Sequence, residues 1–257
     1  MLFLHEYIKE WRGSGTRAKI DLANHLDKIR RDYDVHAKRD PRKSLTVFVK
    51  EYNWLGLSET KRRFNIDSNL ARNLPGALMQ DYLLHLSIAI TKDFPKLEVF
   101  TEVRVPFGLY PLWNAGKVVM ARPAEKSDTA VGYLVEKGEV KLSNEKWPRQ
   151  PFYHLNPNQS VIPLVTINSK IRISQSEFFD WQGREQLMTK GNPHCLSIQV
   201  ALRKEMDMDI VEAAQAGDKF FLLGAGGERN VIPNPRELER LEHVLHEHLV
   251  RRMSATS

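Results

Sequence analysis

The sequence predicts an α/β fold, with a mixed β-sheet core flanked by helices behind a mostly helical N-terminal region. Three features predict it. The first 73 residues carry helical periodicity and no clear strand. From Leu97 onward, alternating strand patterns interleave with helical ones. Between the two regimes stands one long apolar helix, residues 73–95, rich enough in Leu and Ile to be buried against a sheet.

Taken in order, Ala18–Arg31 places Ile20, Leu22, Leu26 and Ile29 on one stripe with charges opposite. HAKRDPRK (36–43) is a polar break around Pro41. Residues 45–54 are mixed, and Ser58 reads as the cap of a short helix carrying Lys61, Arg62 and Arg63. In the helix 73–95, Pro75 suits a first turn. Leu78, Tyr82, His85, Leu86 and Ala89 form its stripe, and Phe94-Pro95 ends it. Strands are expected at 97–106, 117–122, 129–135, 161–174, 195–202 and 219–223, with turns at Asn114-Ala115-Gly116 and Lys137-Gly138. Trp147–Asn158 reads as an irregular loop whose Trp147, Arg149, Phe152, Tyr153 and His154 could touch a nucleic acid or cover the sheet. Helices are expected at 176–190, capped by Ser176, and at 209–216. A last one, 236–252, has Leu238, Leu241, Leu245 and Leu249 inward. The expected division is a basic helical region, 1–72, and a core, 73–257.

The 257 residues suffice for a sizeable core, and 42% apolar with 27% charged types exclude a disordered or fibrous chain. One cysteine, Cys195, excludes an internal disulfide and a Cys-rich zinc or iron–sulfur site, which favours a reducing compartment. No apolar run reaches the ~18 residues of a membrane span, and charge follows the N-terminus too early for a secretion signal. The +6 net charge is unevenly placed. Residues 1–74 hold 16 Lys/Arg against 10 Asp/Glu, whereas the other 183 residues hold 22 of each. A basic front on a neutral body fits a polyanionic partner or a solvated helical surface.

The chemistry concentrates in VIPLVTINSKIRIS (161–174). From Val165, alternation sends Val165, Ile167, Ser169, Ile171 and Ile173 one way, and Thr166, Asn168, Lys170 and Arg172 the other. Forty residues upstream, Asp128 opens a strand of small and apolar residues. A carboxylate at the mouth of one strand, with a polar residue and a lysine on a neighbour, makes a usable Mg²⁺ site. The lysine there can orient a water for in-line attack on a phosphodiester.

This arrangement resembles the PD-(D/E)xK nuclease superfamily, and within it the type II restriction endonucleases, over residues 73–223. Ser127-Asp128 looks like the Pro-Asp element, and Asn168-Ser169-Lys170 like the acid-x-Lys element. GALMQDYLLHL looks like the first core helix, with Asp81 as the acid it offers. SEFFDWQGREQLM and CLSIQVAL continue the core order. The resemblance implies a restriction-endonuclease-like fold and Mg²⁺-dependent, sequence-specific cleavage of double-stranded DNA. Asp128 and Asn168 would serve the metal, Lys170 the water, and Asp81 would assist through a water. It also implies the cytoplasm of a bacterial or archaeal cell, and a homodimer on a palindromic target or a pairing with a second subunit. The sequence departs from the pattern at Ser127 and at Asn168, whose amide is a poorer ligand than a carboxylate. One metal ion is therefore expected, with Glu177 or Glu185 as substitute acids.

Phosphate-gripping candidates are Arg39, Arg42, Lys43, Lys61, Arg62 and Arg63 in the N-terminal region. Arg172, Arg184, Lys190, Asn192 and Arg203 are candidates in the core. A DNA-binding or partner-binding module on a decayed nuclease core, and a repair or recombination nuclease on the same core, are the alternatives. His243, His246 and His248 lack zinc spacing and read as an exposed helix face. Cys195 reads as a core residue, and LLGAGGERN (222–230) as a turn.

Overall fold

The computed structural model describes residues 4–106, 110–114, 117–121, 124–136, 159–215, 217–227 and 230–254. The turn residues 115–116 and 137–138 and the loop 147–158 lie outside the described residues. Helices α1 (Leu4–Ser14), α2 (Arg17–Ala37), α3 (Pro41–Gly56), α4 (Ser58–Arg63) and α5 (Ser68–Thr91) come first. Strands β1 (Glu98–Pro106), β2 (Tyr110–Asn114), β3 (Lys117–Ala121), β4 (Ala124–Glu136) and β5 (Gln159–Ser174) follow. Then come α6 (Gln175–Gly191), β6 (Leu196–Glu205), α7 (Met208–Gln215), β7 (Phe220–Leu222), β8 (Gly224–Gly227), β9 (Asn230–Pro233) and α8 (Pro235–Ser254).

The main sheet runs β1-β4-β5-β6-β7. β1, β4 and β5 pair antiparallel, while β5, β6 and β7 are parallel. A parallel pair needs a crossover, and α6 supplies it between β5 and β6. β5 is thus a central strand, which agrees with its apolar lead VIPLV. β2–β3 and β8–β9 are separate antiparallel pairs, so the glycine-rich 222–230 is not the turn expected of it: Gly224–Gly227 is strand β8, and 228–229 lie outside the described residues. This is the mixed α/β architecture, flanked by helices and preceded by a helical region, that the sequence predicts.

The boundaries differ from expectation at three helices. α5 begins at Ser68, because Asp67 accepts from the Leu70 amide as N-cap. Pro75 therefore lies inside the helix, where it removes the bond to the Ala71 carbonyl. The expected division at 72/73 falls within α5, and one apolar cluster runs from Leu4 through α5 and the sheet to Leu249. α4 is entered from Leu57 with no side-chain cap, so Ser58 is its first residue. α6 is capped by Ser174, the last residue of β5, and not by Ser176. Leu45–Trp54 is plain helix within α3, capped by Asp40 with Pro41 in the first turn.

α8 buries Leu238, Leu241, Leu245 and Leu249 as its spacing predicts. His248 differs from the exposed face expected of it. It is buried, with Nε2 3.0 Å from the Leu164 carbonyl and 3.1 Å from that of His194. Burial and the nearby Arg252 lower its pKa. Cys195 is buried, and burial pushes its thiol up to about 12, so it is an inert core residue. Among the described residues no helix is long and apolar enough to cross a membrane.

Glu242 sits half-buried on α8. Burial first, then the charge of Glu239, raises its carboxyl from 4.5 to about 7, against the opposing pull of Arg42. The unfolded chain releases this proton near 4.5, but the native state keeps it until about pH 7. The folded state therefore loses stability as pH rises through that window. Thermal melts are expected to show a higher Tm at pH 5 than at pH 8 from this group, and Glu242→Gln is expected to flatten that difference.

Candidate active site

The site forms where β4 meets β5. Their ladder includes the pair Thr129–Ile167, and one step further stand Asp128 and Asn168. No ladder pair joins these two, and the Asp128 side chain turns to Ser169. Asp128 takes over the next ladder bond. Its Oδ2 accepts from the Ser169 amide (2.7 Å) and the Ser169 hydroxyl (2.8 Å). Its Oδ1 accepts from the Gln80 side-chain amide at 3.1 Å. Ser127 just before it is buried, with its hydroxyl donating to the carbonyls of Thr129 and Ile167. A hydroxyl can make these bonds; the proline of the family pattern cannot.

Lys170 follows on the exposed side of β5 and reaches Glu177 Oε1 at 3.1 Å. Glu177 is placed by the start of α6. Ser174 ends β5 and caps α6, and Glu177 Oε2 accepts back from the Ser174 amide at 3.1 Å, a reciprocal capping box. Burial raises the Glu177 carboxyl, but the bonds from Ser174 and Lys170 outweigh it and leave the pKa lowered. The Glu177 carboxyl is therefore ionised at neutral pH.

These residues line one open groove of about 980 Å³. α5 contributes Arg72, Gly76, Met79 and Gln80 to its wall. β5 contributes Asn168 to Arg172, and β6 Gln199 and Arg203. One face of α6 contributes Glu177, Asp180, Trp181 and Arg184. Five cations (Arg72, Lys170, Arg172, Arg184, Arg203) face three carboxylates (Asp128, Glu177, Asp180), so the lining is net positive by two. The groove opens at the C-terminal ends of the parallel strands β5 and β6, the usual ligand end of such a pair.

Asp128, Asn168 and Lys170, with Glu177, are thus brought together. Asp81 is not. It faces the helical layer, 1% exposed, where Arg30 Nε reaches both its oxygens at 3.1 Å and the Tyr33 hydroxyl donates to it. Burial, then the charge of Asp81, holds the Tyr33 phenol well above its usual pKa, so it remains a donor. One residue along a helix is a turn of about 100°, so Gln80 and not Asp81 reaches the groove. Glu185 also points elsewhere, bonded to Thr189 and Lys219.

The basic candidates divide. Arg172, Arg184 and Arg203 line the groove; Arg172 pairs with Glu205 at 2.9 Å. Lys61 borders a second pocket that shares Tyr52, Ala71 and Pro75 with the groove. Arg63 lies over the Phe64 ring, and Arg62 is exposed on α4; neither lines a groove wall. Arg42 pairs with Glu239 of α8, about 15 Å along α3 from Tyr52 at the groove, and Arg39 and Lys43 lie at that same far end. Lys190 ends α6, about 20 Å along the helix from Glu177. Asn192 is structural, donating to the Pro163 carbonyl at 2.9 Å. Sequence reasoning missed Gln80, Ser169, Arg72 and Asp180. The i, i+3, i+4 spacing of Gly76, Met79 and Gln80 was the available signal for the α5 wall.

Among the described residues no group of three or more His, Cys, Asp or Glu is arranged to hold a metal. The donors that do converge are all hard oxygens. Asp128 Oδ1 accepts from the Gln80 amide and keeps a lone pair, while Asn168 and Glu177 line the same groove. Mg²⁺ retains several waters and needs only one or two carboxylates, so the chemistry of these donors is compatible with a single Mg²⁺.

No protein-family model matches the chain, and no curated protein matches it. Among solved structures it is similar to a chain of the native BbvCI A2B2 tetramer, with 13% identity and a TM-score of 0.47, covering 99% of this chain and 97% of that one.

Asp81→Ala is expected to leave Arg30 and Tyr33 without their buried acceptor. It should cost on the order of 3–5 kcal/mol in denaturant unfolding. Gln80→Ala, which removes a neutral amide and its bond to Asp128 and leaves no buried charge unpaired, should cost less in the same assay.

Proposed function

We propose that the groove takes a phosphodiester of duplex DNA, and that the chain is a Mg²⁺-dependent endonuclease resembling the type II restriction enzymes. One observation carries the reading: Asp128 and Lys170, forty-two positions apart in the chain, line one groove with a net positive lining. Asp128, with Asn168 and Glu177, would hold the metal, which when bound supplies Lewis-acid polarisation of the scissile phosphate and an acidified water. Lys170 presents an ammonium beside that position, where it orients the attacking water and offsets charge building on the phosphate oxygens. Glu177 keeps the ammonium from swinging to solvent. Ser169 and Gln80 fix the Asp128 carboxylate by three hydrogen bonds. Arg172, Arg184 and Arg203 neutralise flanking phosphates, an interaction that sets register and carries no sequence information.

A mapped plasmid digested with Mg²⁺ is expected to give discrete fragments that chelator abolishes. Asp128→Ala and Lys170→Ala should each lose at least about 100-fold in cleavage and retain binding by gel shift. Cutting at the wild-type rate by Lys170→Ala would remove the mechanism. Phosphate contacts release counterions, so Arg172→Ala and Arg184→Ala should each lower the slope of log K against log salt by about one.

A second reading, a DNA-binding module on a decayed nuclease core, is favoured by one feature. Amides stand at both Gln80 and Asn168, and of the groove's carboxylates Glu177 is paired to Lys170, which leaves few anionic ligands beside Asp128. Gel shift without nicking under any divalent ion would select it.

A further inference from the structure

A second pocket of about 500 Å³ opens off the groove where α3 meets α4. The two share Tyr52, Ala71 and Pro75, so they form one continuous trough. Leu55, Leu57 and Pro75 give the pocket apolar walls, and Tyr52 stands at its junction with the groove. Lys61 lines it as well, and no carboxylate does. The Lys61 side chain is half-buried, and its ammonium makes no ion pair or hydrogen bond among the described residues. A partly desolvated cation without a partner favours an anion that arrives from outside. Pro75 adds an acceptor. It has no N–H to give the Ala71 carbonyl, so a helical oxygen at the shared edge lacks its usual donor. The Asn53 amide adds nothing, because both its ends are bonded to the backbone of Val231.

We infer that this pocket takes one unpaired nucleotide of the DNA strand whose phosphate lies at Asp128. The inference deepens the nuclease reading and rests on it. A nucleotide combines what the lining asks for: a phosphate for Lys61, a flat base whose faces suit Tyr52 and the aliphatic walls, and base N–H groups for the Ala71 carbonyl. The volume is that of a pocket for a small ligand and far too small for a duplex. Position agrees with this. Pro75 and Ala71 lie five and nine residues before Gln80, which is about 7–14 Å along α5. At about 3.4 Å of rise per nucleotide of one strand, that is roughly two to four nucleotides from the phosphate beside Asp128. With Asn53 engaged, the lining offers no free side-chain amide to read a base edge. Stacking therefore decides entry, and the pocket selects unpaired over paired DNA rather than one base over another.

The test reads binding by fluorescence anisotropy in chelator, so cleavage plays no part in it. The probes are a duplex with a short single-stranded extension at either end, and the same duplex with that extension abasic. Both carry the same phosphates, so the ratio of their affinities reads the base alone. The wild-type protein is expected to favour the base-bearing probe by at least about 5-fold, the lower end for a base stacked on an aromatic ring. Tyr52→Leu should bring that ratio to one, and Tyr52→Phe, which keeps the ring, should preserve it. Lys61→Ala should lower the slope of log K against log salt by about one on the base-bearing probe, and Lys61→Arg should restore it. Equal binding of the two probes by the wild-type protein, or a ratio and slope unchanged in the variants, overturns the inference. So does a free deoxynucleoside monophosphate that binds as tightly as the tethered base, which would hand the pocket to a mobile nucleotide. A base preference in a protein that cuts no DNA with Mg²⁺ sinks the nuclease reading and leaves the pocket assigned; a protein that binds neither probe removes both.

Discussion

α5 is buried on nearly every side, between the helices α2 and α3 and the strands β1, β4 and β5. A helix in that position must satisfy each polar side chain it carries, because an unpaired one costs about 1–3 kcal/mol and a charged one more. Gln80 and Asp81 meet that demand in opposite directions. Gln80 donates to Asp128 on the sheet, and Asp81 binds Arg30 and Tyr33 in the helical layer. Two adjacent residues thus tie the candidate site to the N-terminal helices. His85, one turn on, bonds Asp34 at 2.8 Å and extends the same seam.

The groove inherits its geometry from a strand end. Asp128 stands where the β4–β5 ladder opens, so its carboxylate is held by backbone and side chain of Ser169 and still borders open space. β5 then runs directly into α6 without a loop. Ser174 serves both elements, and this fixes Glu177 within reach of Lys170. Negative charge at the site is consequently low: of the groove's three carboxylates Asp128 is bonded to neutral donors and Glu177 is paired to a lysine, and two amides stand beside them. A single ion that keeps most of its water suits such a site, and the surrounding arginines suit an anionic polymer better than a small neutral ligand.

α6 links the site to the outer surface. One face carries Glu177, Asp180, Trp181 and Arg184 to the groove, another packs into the core, and a third exposes Phe179 and Leu187.

The alternation from Val165 to Ile173 and the leucine spacing of α8 were legible in the sequence, because a face that is buried writes its period into the chain. The strand positions of Asn168 and Lys170 follow from the same periodicity; the turn of Asp128 toward Ser169, which alternation assigns to the other face, does not. Which of Gln80 and Asp81 faces the groove was not legible. Both are polar, both sit in an apolar helix buried on two sides, and no stripe distinguishes their directions until the partners Arg30 and Asp128 arrive from 51 and 48 residues away. The basic candidates could not be sorted from sequence for the same reason. A lysine or arginine looks alike in sequence whether it lines a groove, as Arg184 does, or bridges to a distant helix, as Arg42 does to Glu239. Local sequence determined the elements and the faces of the strands; only long-range packing decided which polar side chains share a site, since their partners lie on elements the local pattern does not see.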